Sequence, residues 1–152
     1  MQESKSHFRE LAVIAGLLLC AAVWFGAIEW MFPRYFLWDD NGDSFTPLFL
    51  FNARSLWETH TVPLVNFFQF AGWNHAGTEQ LGVLYPPAYL AAWFATGILG
   101  NPLLTMDALC ILHLTAGMLG MYTWMRTLGA RREFAAGAAL FYLTLPFSTH
   151  LA

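Results

Sequence analysis

Three carboxylates fall within five positions at Asp39, Asp40 and Asp43, with Asn41 and Gly42 turning the chain between them. Carboxylates this close repel one another, which favours a bound cation or a raised pKa. Such a group could take a proton from an acceptor hydroxyl, or hold a divalent cation (Mg or Mn, at Asp40 and Asp43) against a phosphate. Asp-Asn-Gly is equally ordinary turn chemistry, and on composition alone the site and the solvated turn weigh about the same. His60 and His75 follow in the same segment. A lone loop histidine is more often a surface residue than a ligand, and with no His-x-x-x-His or Cys-x-x-Cys spacing a zinc centre has little support. His113 reads as an interhelical hydrogen-bonding group inside an apolar run. Asp107 is placed near the end of that run, within reach of water or a helix N-terminus. Cys20 and Cys110 read as small packing residues.

The elements that must position these residues are set by hydrophobicity. Of 152 residues 57% are hydrophobic and 11% charged, with a mean hydropathy of +0.47; soluble domains carry about 25% charged residues. Aromatics make up 17%. Disorder and a water-soluble globule are both disfavoured. Seven Lys and Arg against ten Asp and Glu leave no basic stripe, so a nucleic-acid partner is not expected. The expected class is an all-α integral membrane protein with the lipid bilayer as its surroundings. Its expected parts are a cytoplasmic N-terminus (1–10), three transmembrane helices (11–32, 103–125 and 134–152), a loop at 33–102 and a basic loop at 126–133. The first apolar run is long for a signal peptide and lacks a small-x-small cleavage site, so a retained anchor is expected. The third ends inside apolar sequence, which suggests a truncated product or a piece of a longer protein.

Charge sets the expected orientation. Lys5 and Arg9 put the N-terminus in the cytoplasm, and Arg126, Arg131 and Arg132 mark another inner loop. Residues 88–99 cannot then be a full crossing. Twelve residues of helix also cover only about 18 Å, so this segment reads as a juxtamembrane helix opened by Pro86 and Pro87. A second interfacial helix is expected over about 46–58, capped by Ser44 or Thr46 with Pro47 in its first turn. Trp38, Trp57, Trp73 and Trp93 fit an aromatic belt at headgroup level. Gly117 and Gly120 with Ala116, and Gly137 among its alanines, give the last two spans small-residue faces for close packing.

Taken in order, the segments carry Gly42-Asp43, then Pro63-Leu64-Val65-Asn66, Phe70 and Gly72. Gln80, Gly82 and Tyr85-Pro86-Pro87 come next. Leu112-His113-Leu114, Ala116-Gly117, Met121-Tyr122 and Arg126-Thr127-Leu128-Gly129 complete the series. Over residues 35–150 this resembles the N-terminal portion of YfhO-type bacterial membrane proteins, which belong with the GT-C architecture of lipid-linked-sugar glycosyltransferases. The chain departs from the family pattern at Val65, Phe67 and Ala71, where Trp, Pro and Gly are usual. The resemblance implies a multi-pass protein of the bacterial inner membrane that moves a sugar from a polyprenyl-phosphate donor to a cell-envelope polymer at the outer face, a hexosyltransferase. In GT-C enzymes the catalytic acid lies in the first outer loop, which maps to Asp43 with Asp40 as substitute. Asp39, Arg54, Asn66, His75, Glu79 and Tyr85 of the same loop are the candidates for substrate binding. Because Arg34 and Arg54 are the only basic residues of that loop, the 152-residue piece by itself is expected to be inactive. The alternatives are a non-enzymatic membrane subunit, or a remnant of a truncated gene.

Overall fold

The computed structural model describes residues 2–38, 40–67, 72–75, 77 and 82–145. The chain is mostly helical, at 78%. Two compact units are present. One comprises Met1–Pro33 with Ile111–Ala152, and the other Arg34–Cys110.

In the first unit α1 runs over Gln2–Met31. Pro33 follows its last turn, and proline cannot continue a helix. Within α1, His7–Met31 holds an 18-residue stretch with a mean hydropathy of 2.5, yet only 22% of that stretch is buried. Phe8, Leu11, Leu19, Val23 and Trp30 point outward, Trp30 at 86% exposure. The core helix of a soluble protein would bury such a surface, because each exposed large apolar side chain forfeits roughly 1.5–3 kcal/mol in water; in lipid there is no such penalty. The inward residues Leu17, Ala21, Phe25 and Ile28 recur on one helical face, and α1 packs along α5 (Arg132–Thr144). The helix α4 covers Thr105–Thr127; Pro102–Thr127 is the second stretch long and apolar enough to cross a membrane. Among the described residues two such helices are found, with α5 as a further helix of 13 residues. It spans about 20 Å against a hydrocarbon core of about 30 Å, and residues 146–152 of the expected third span lie outside the described residues.

Gly117 is what lets α5 approach α4. A β-carbon there would lie 2.5 Å from the Tyr142 hydroxyl oxygen and 2.6–2.7 Å from its ring, while one at Gly120 or Gly137 would meet nothing within 4 Å. Of the small residues expected to pack, Gly117 on α4 and the fully buried Ala135 and Ala139 on α5 occupy packed positions, whereas Gly120 and Gly137 do not. At the Arg126 end of α4 the three helices are pinned by Glu10. Its Oε1 accepts from Nη2 of Arg126 at 2.8 Å and from Nε of Arg132 at 2.7 Å, and its Oε2 accepts from the Tyr122 hydroxyl. Tyr122 is buried and lies one turn from Arg126 on α4, so helical spacing alone delivers both groups to one carboxylate.

The second unit is built on α2, Thr46–Thr59. A 3₁₀ turn at Tyr35–Leu37 and a π-helical turn at Asn41–Phe45 lead into it. Pro47 stands in the first turn of α2, directly after the π-turn. A two-residue antiparallel hairpin follows, with Val65 opposite Asn74 and Asn66 opposite Trp73. The helix α3, Pro86–Trp93, continues as a π-turn over Phe94–Ile98. Ala88, Ala91, Ala92 and Ala95 form one buried face, and α3 packs on α2, where Ala53 is also fully buried. Side chains this small let the two backbones approach closely.

Candidate functional site

The acidic turn is held by its glycine. A β-carbon at position 42 would lie 2.2 Å from the Leu37 carbonyl oxygen, so only Gly fits against the preceding 3₁₀ turn. The Asn41 carbonyl accepts from both the backbone N–H and the hydroxyl of Thr46, the latter at 2.6 Å, which closes the π-turn onto α2. Thr46 itself is buried. Asp40 and Asp43 are both exposed on this rigid turn. Their carboxylates therefore meet solvent or a ligand without a desolvation penalty. A negative charge in the first turn also suits the helix dipole. Asp39 lies outside the described residues. Among the described residues no three His, Cys, Asp or Glu side chains gather closely enough to hold a metal ion.

Further along, the structure sorts the remaining candidates. Arg54 is exposed on α2 and Tyr85 is 39% exposed at the start of α3. Asn66 is buried in the hairpin. His75 is fully buried, contrary to the expectation of a surface residue for a lone loop histidine. The reason is local geometry: the His75 backbone N–H donates to the Leu64 carbonyl at 3.0 Å, folding the hairpin end inward. The imidazole then meets Asn52 of α2, with His75 Nε2 and Asn52 Oδ1 2.6 Å apart, and stands edge-on to Phe51 at 5.3 Å. Since Oδ1 only accepts, Nε2 carries the proton, and the buried Nδ1 has no hydrogen-bond partner among the described residues. Burial pushes the imidazole pKa below its ordinary value. Glu79 lies outside the described residues.

The turn before α3 is anchored on the same helix. Gly82 has φ +59°, and a β-carbon there would come 2.7 Å from the Phe49 ring. The Tyr85 N–H donates to the Gly82 carbonyl at 3.0 Å, and the Tyr89 hydroxyl donates to the Val83 carbonyl at 2.6 Å. The helix α2 thus gathers Gly82 on Phe49 and His75 on Asn52. Asp40, Asp43, Arg54 and Tyr85 remain accessible. Asn52 did not stand out in the sequence as a partner; its signal is an amide at position 52 that repeats the spacing of the apolar residues Phe45, Leu48, Phe49 and Leu56. Asp107 is buried in the first turn of α4, at 4% exposure; of the two expected surroundings, water or a helix N-terminus, the structure gives the helix N-terminus. Cys110 is buried as expected, whereas Cys20 is exposed.

An exposed carboxylate on a stiff turn can accept a proton from a bound hydroxyl, and an exposed Arg can neutralise an anionic leaving group. No family model, curated protein or solved structure matches the chain.

Proposed function

We propose that the chain is a segment of a multi-pass bacterial inner-membrane glycosyltransferase of GT-C-like architecture, with a cytoplasmic N-terminus and the Arg34–Cys110 unit on the outer face. The observation that carries this reading is the Gly42-Asp43 turn, fixed against Leu37 and exposed within twelve residues of the end of α1. An acid so placed meets a donor whose tail lies in the bilayer and whose sugar lies above it. The acceptor hydroxyl oxygen attacks the anomeric carbon, and the bond from that carbon to the phosphate oxygen breaks. Polyprenyl phosphate leaves, and the hydroxyl proton passes to Asp43. Arg54 supports the charge on the departing phosphate. Asn66, Gly82 and the Tyr85-Pro86-Pro87 corner, which carry part of the family resemblance, shape the loops around α2.

The test is Asp43→Asn, with Asp40→Asn alongside, in the protein as the cell makes it. Transfer from a polyprenyl-phosphate sugar is followed in isolated membranes. Loss of the proton acceptor should lower turnover by about 10²–10⁴-fold while membrane insertion is unchanged. Full activity in both variants contradicts the reading and moves the catalytic role away from Asp43 and Asp40.

A further inference from the structure

In the second unit, α3 and the π-turn after it are sorted by side-chain size rather than by polarity. Ala88, Ala91, Ala92 and Ala95 are buried, whereas Leu90, Trp93, Phe94, Ile98 and Leu99 are exposed, and Leu90, Trp93 and Ile98 are each more than half exposed. From Gln80 to Met106 the sequence holds no Asp, Glu, Lys, Arg or His. We propose that the outward face of this segment is sunk among the acyl chains of one membrane leaflet, so that the second unit grips the bilayer by an apolar contact of its own.

Size, charge and backbone bonding select acyl chains over a protein partner, headgroups or water. Helices that pack on one another within lipid present small residues at the contact; here the small residues are already used against α2, and the bulky ones are left outside. A helix that rests on headgroups does so through Lys and Arg on its polar face, and this stretch has neither. The corner that follows carries its own hydrogen-bond partners. Gly100 turns the chain at φ +66°. The Leu99 N–H donates to the Phe94 carbonyl at 3.1 Å and the Asn101 N–H to the Ala95 carbonyl at 2.9 Å. Asn101 in turn accepts from the Leu104 N–H on its carbonyl and from the Leu103 N–H on Oδ1, both at 3.1 Å. The Thr105 N–H and hydroxyl both donate to the Pro102 carbonyl. Water offers a loop such partners freely; hydrocarbon offers none, so a corner that enters it must supply them itself. Residues 86–98 cover about 20 Å of helix, short of a hydrocarbon core of about 30 Å, which confines the segment to one leaflet. The inference rests on membrane embedding of α4. It holds whichever side of the membrane carries the second unit and whether or not the chain transfers a sugar.

The test uses the whole chain in nanodiscs, with Cys20 and Cys110 replaced by Ala and a nitroxide spin label on Leu90→Cys, Phe94→Cys or Ile98→Cys. Ser44→Cys serves as the water-exposed reference. Collision of the label with oxygen, which concentrates in hydrocarbon, is compared with collision with a water-soluble nickel chelate. The three outward sites should favour oxygen and report depths of about 5–10 Å below the headgroup phosphates. Because the face is uncharged, the depths should be the same in phosphatidylcholine alone and in a mixture with phosphatidylglycerol. Circular dichroism checks the helical content of each variant, and Leu99→Cys replaces any that loses it. Dominant collision with nickel at these sites places the face in water and overturns the proposal. Exclusion of both reagents assigns the face to a protein partner or a second copy and overturns it too, as does insertion seen only with phosphatidylglycerol.

Discussion

Arg132 Nε lies 2.7 Å from Glu10 Oε1, although 122 residues separate the two in the chain. The same oxygen accepts from Arg126, and the other accepts from Tyr122. One carboxylate thereby ties α1 to both later helices. Glu10→Ala removes three donors' partner at once. The side chain is 26% exposed, so solvent screening reduces the loss to about 1–2 kcal/mol. Thermal unfolding in detergent should show a lowered midpoint for Glu10→Ala and a smaller drop for Arg126→Lys.

Gly117 and Gly120 look alike in the sequence and should respond differently. Gly117→Ala drives a β-carbon into Tyr142 and should cost about 1–3 kcal/mol by overpacking. Gly120→Ala meets nothing and should be neutral or slightly stabilising through helix propensity. Tyr142→Ala should relieve Gly117→Ala in a double-variant cycle measured by the same unfolding assay.

The buried His75 makes the second unit sensitive to acid. The fold holds the imidazole neutral, with its pKa lowered by burial. Below the ordinary value of about 6.5 the unfolded chain takes up a proton that the folded unit rejects. Stability is therefore complete above about pH 6.5 and falls as pH drops through the lowered pKa. Unfolding midpoints at pH 8 and pH 5 should differ in wild type. His75→Gln, which keeps a donor for Asn52, should lose most of that slope.

The helices were legible because their signals are local. Pro47 and Pro86 open α2 and α3, Pro33 follows the end of α1, and the apolar runs mark the two long helices. Of the expected fold, the helical class and two membrane-length helices are observed; the expected third span is described only to Leu145. What the sequence hid depends on distant pairing. Glu10 stands one residue before an apolar run and reads as a flanking charge until Tyr122, Arg126 and Arg132 arrive. His75 reads as a loop residue because nothing nearby shows that the hairpin delivers it to Asn52. At the acidic turn, the Asp-Asn-Gly pattern marks a bend; that position 42 admits only Gly shows in the 2.2 Å approach a β-carbon there would make to the Leu37 carbonyl oxygen.

The account depends most on the side of the membrane that carries the Gly42-Asp43 turn. With Cys20 and Cys110 replaced by Ala, Ser44→Cys supplies a single thiol beside Asp43 on an exposed position. Labelling of intact cells with a membrane-impermeant maleimide measures its location. The account predicts full labelling from outside; labelling only after permeabilisation would contradict it.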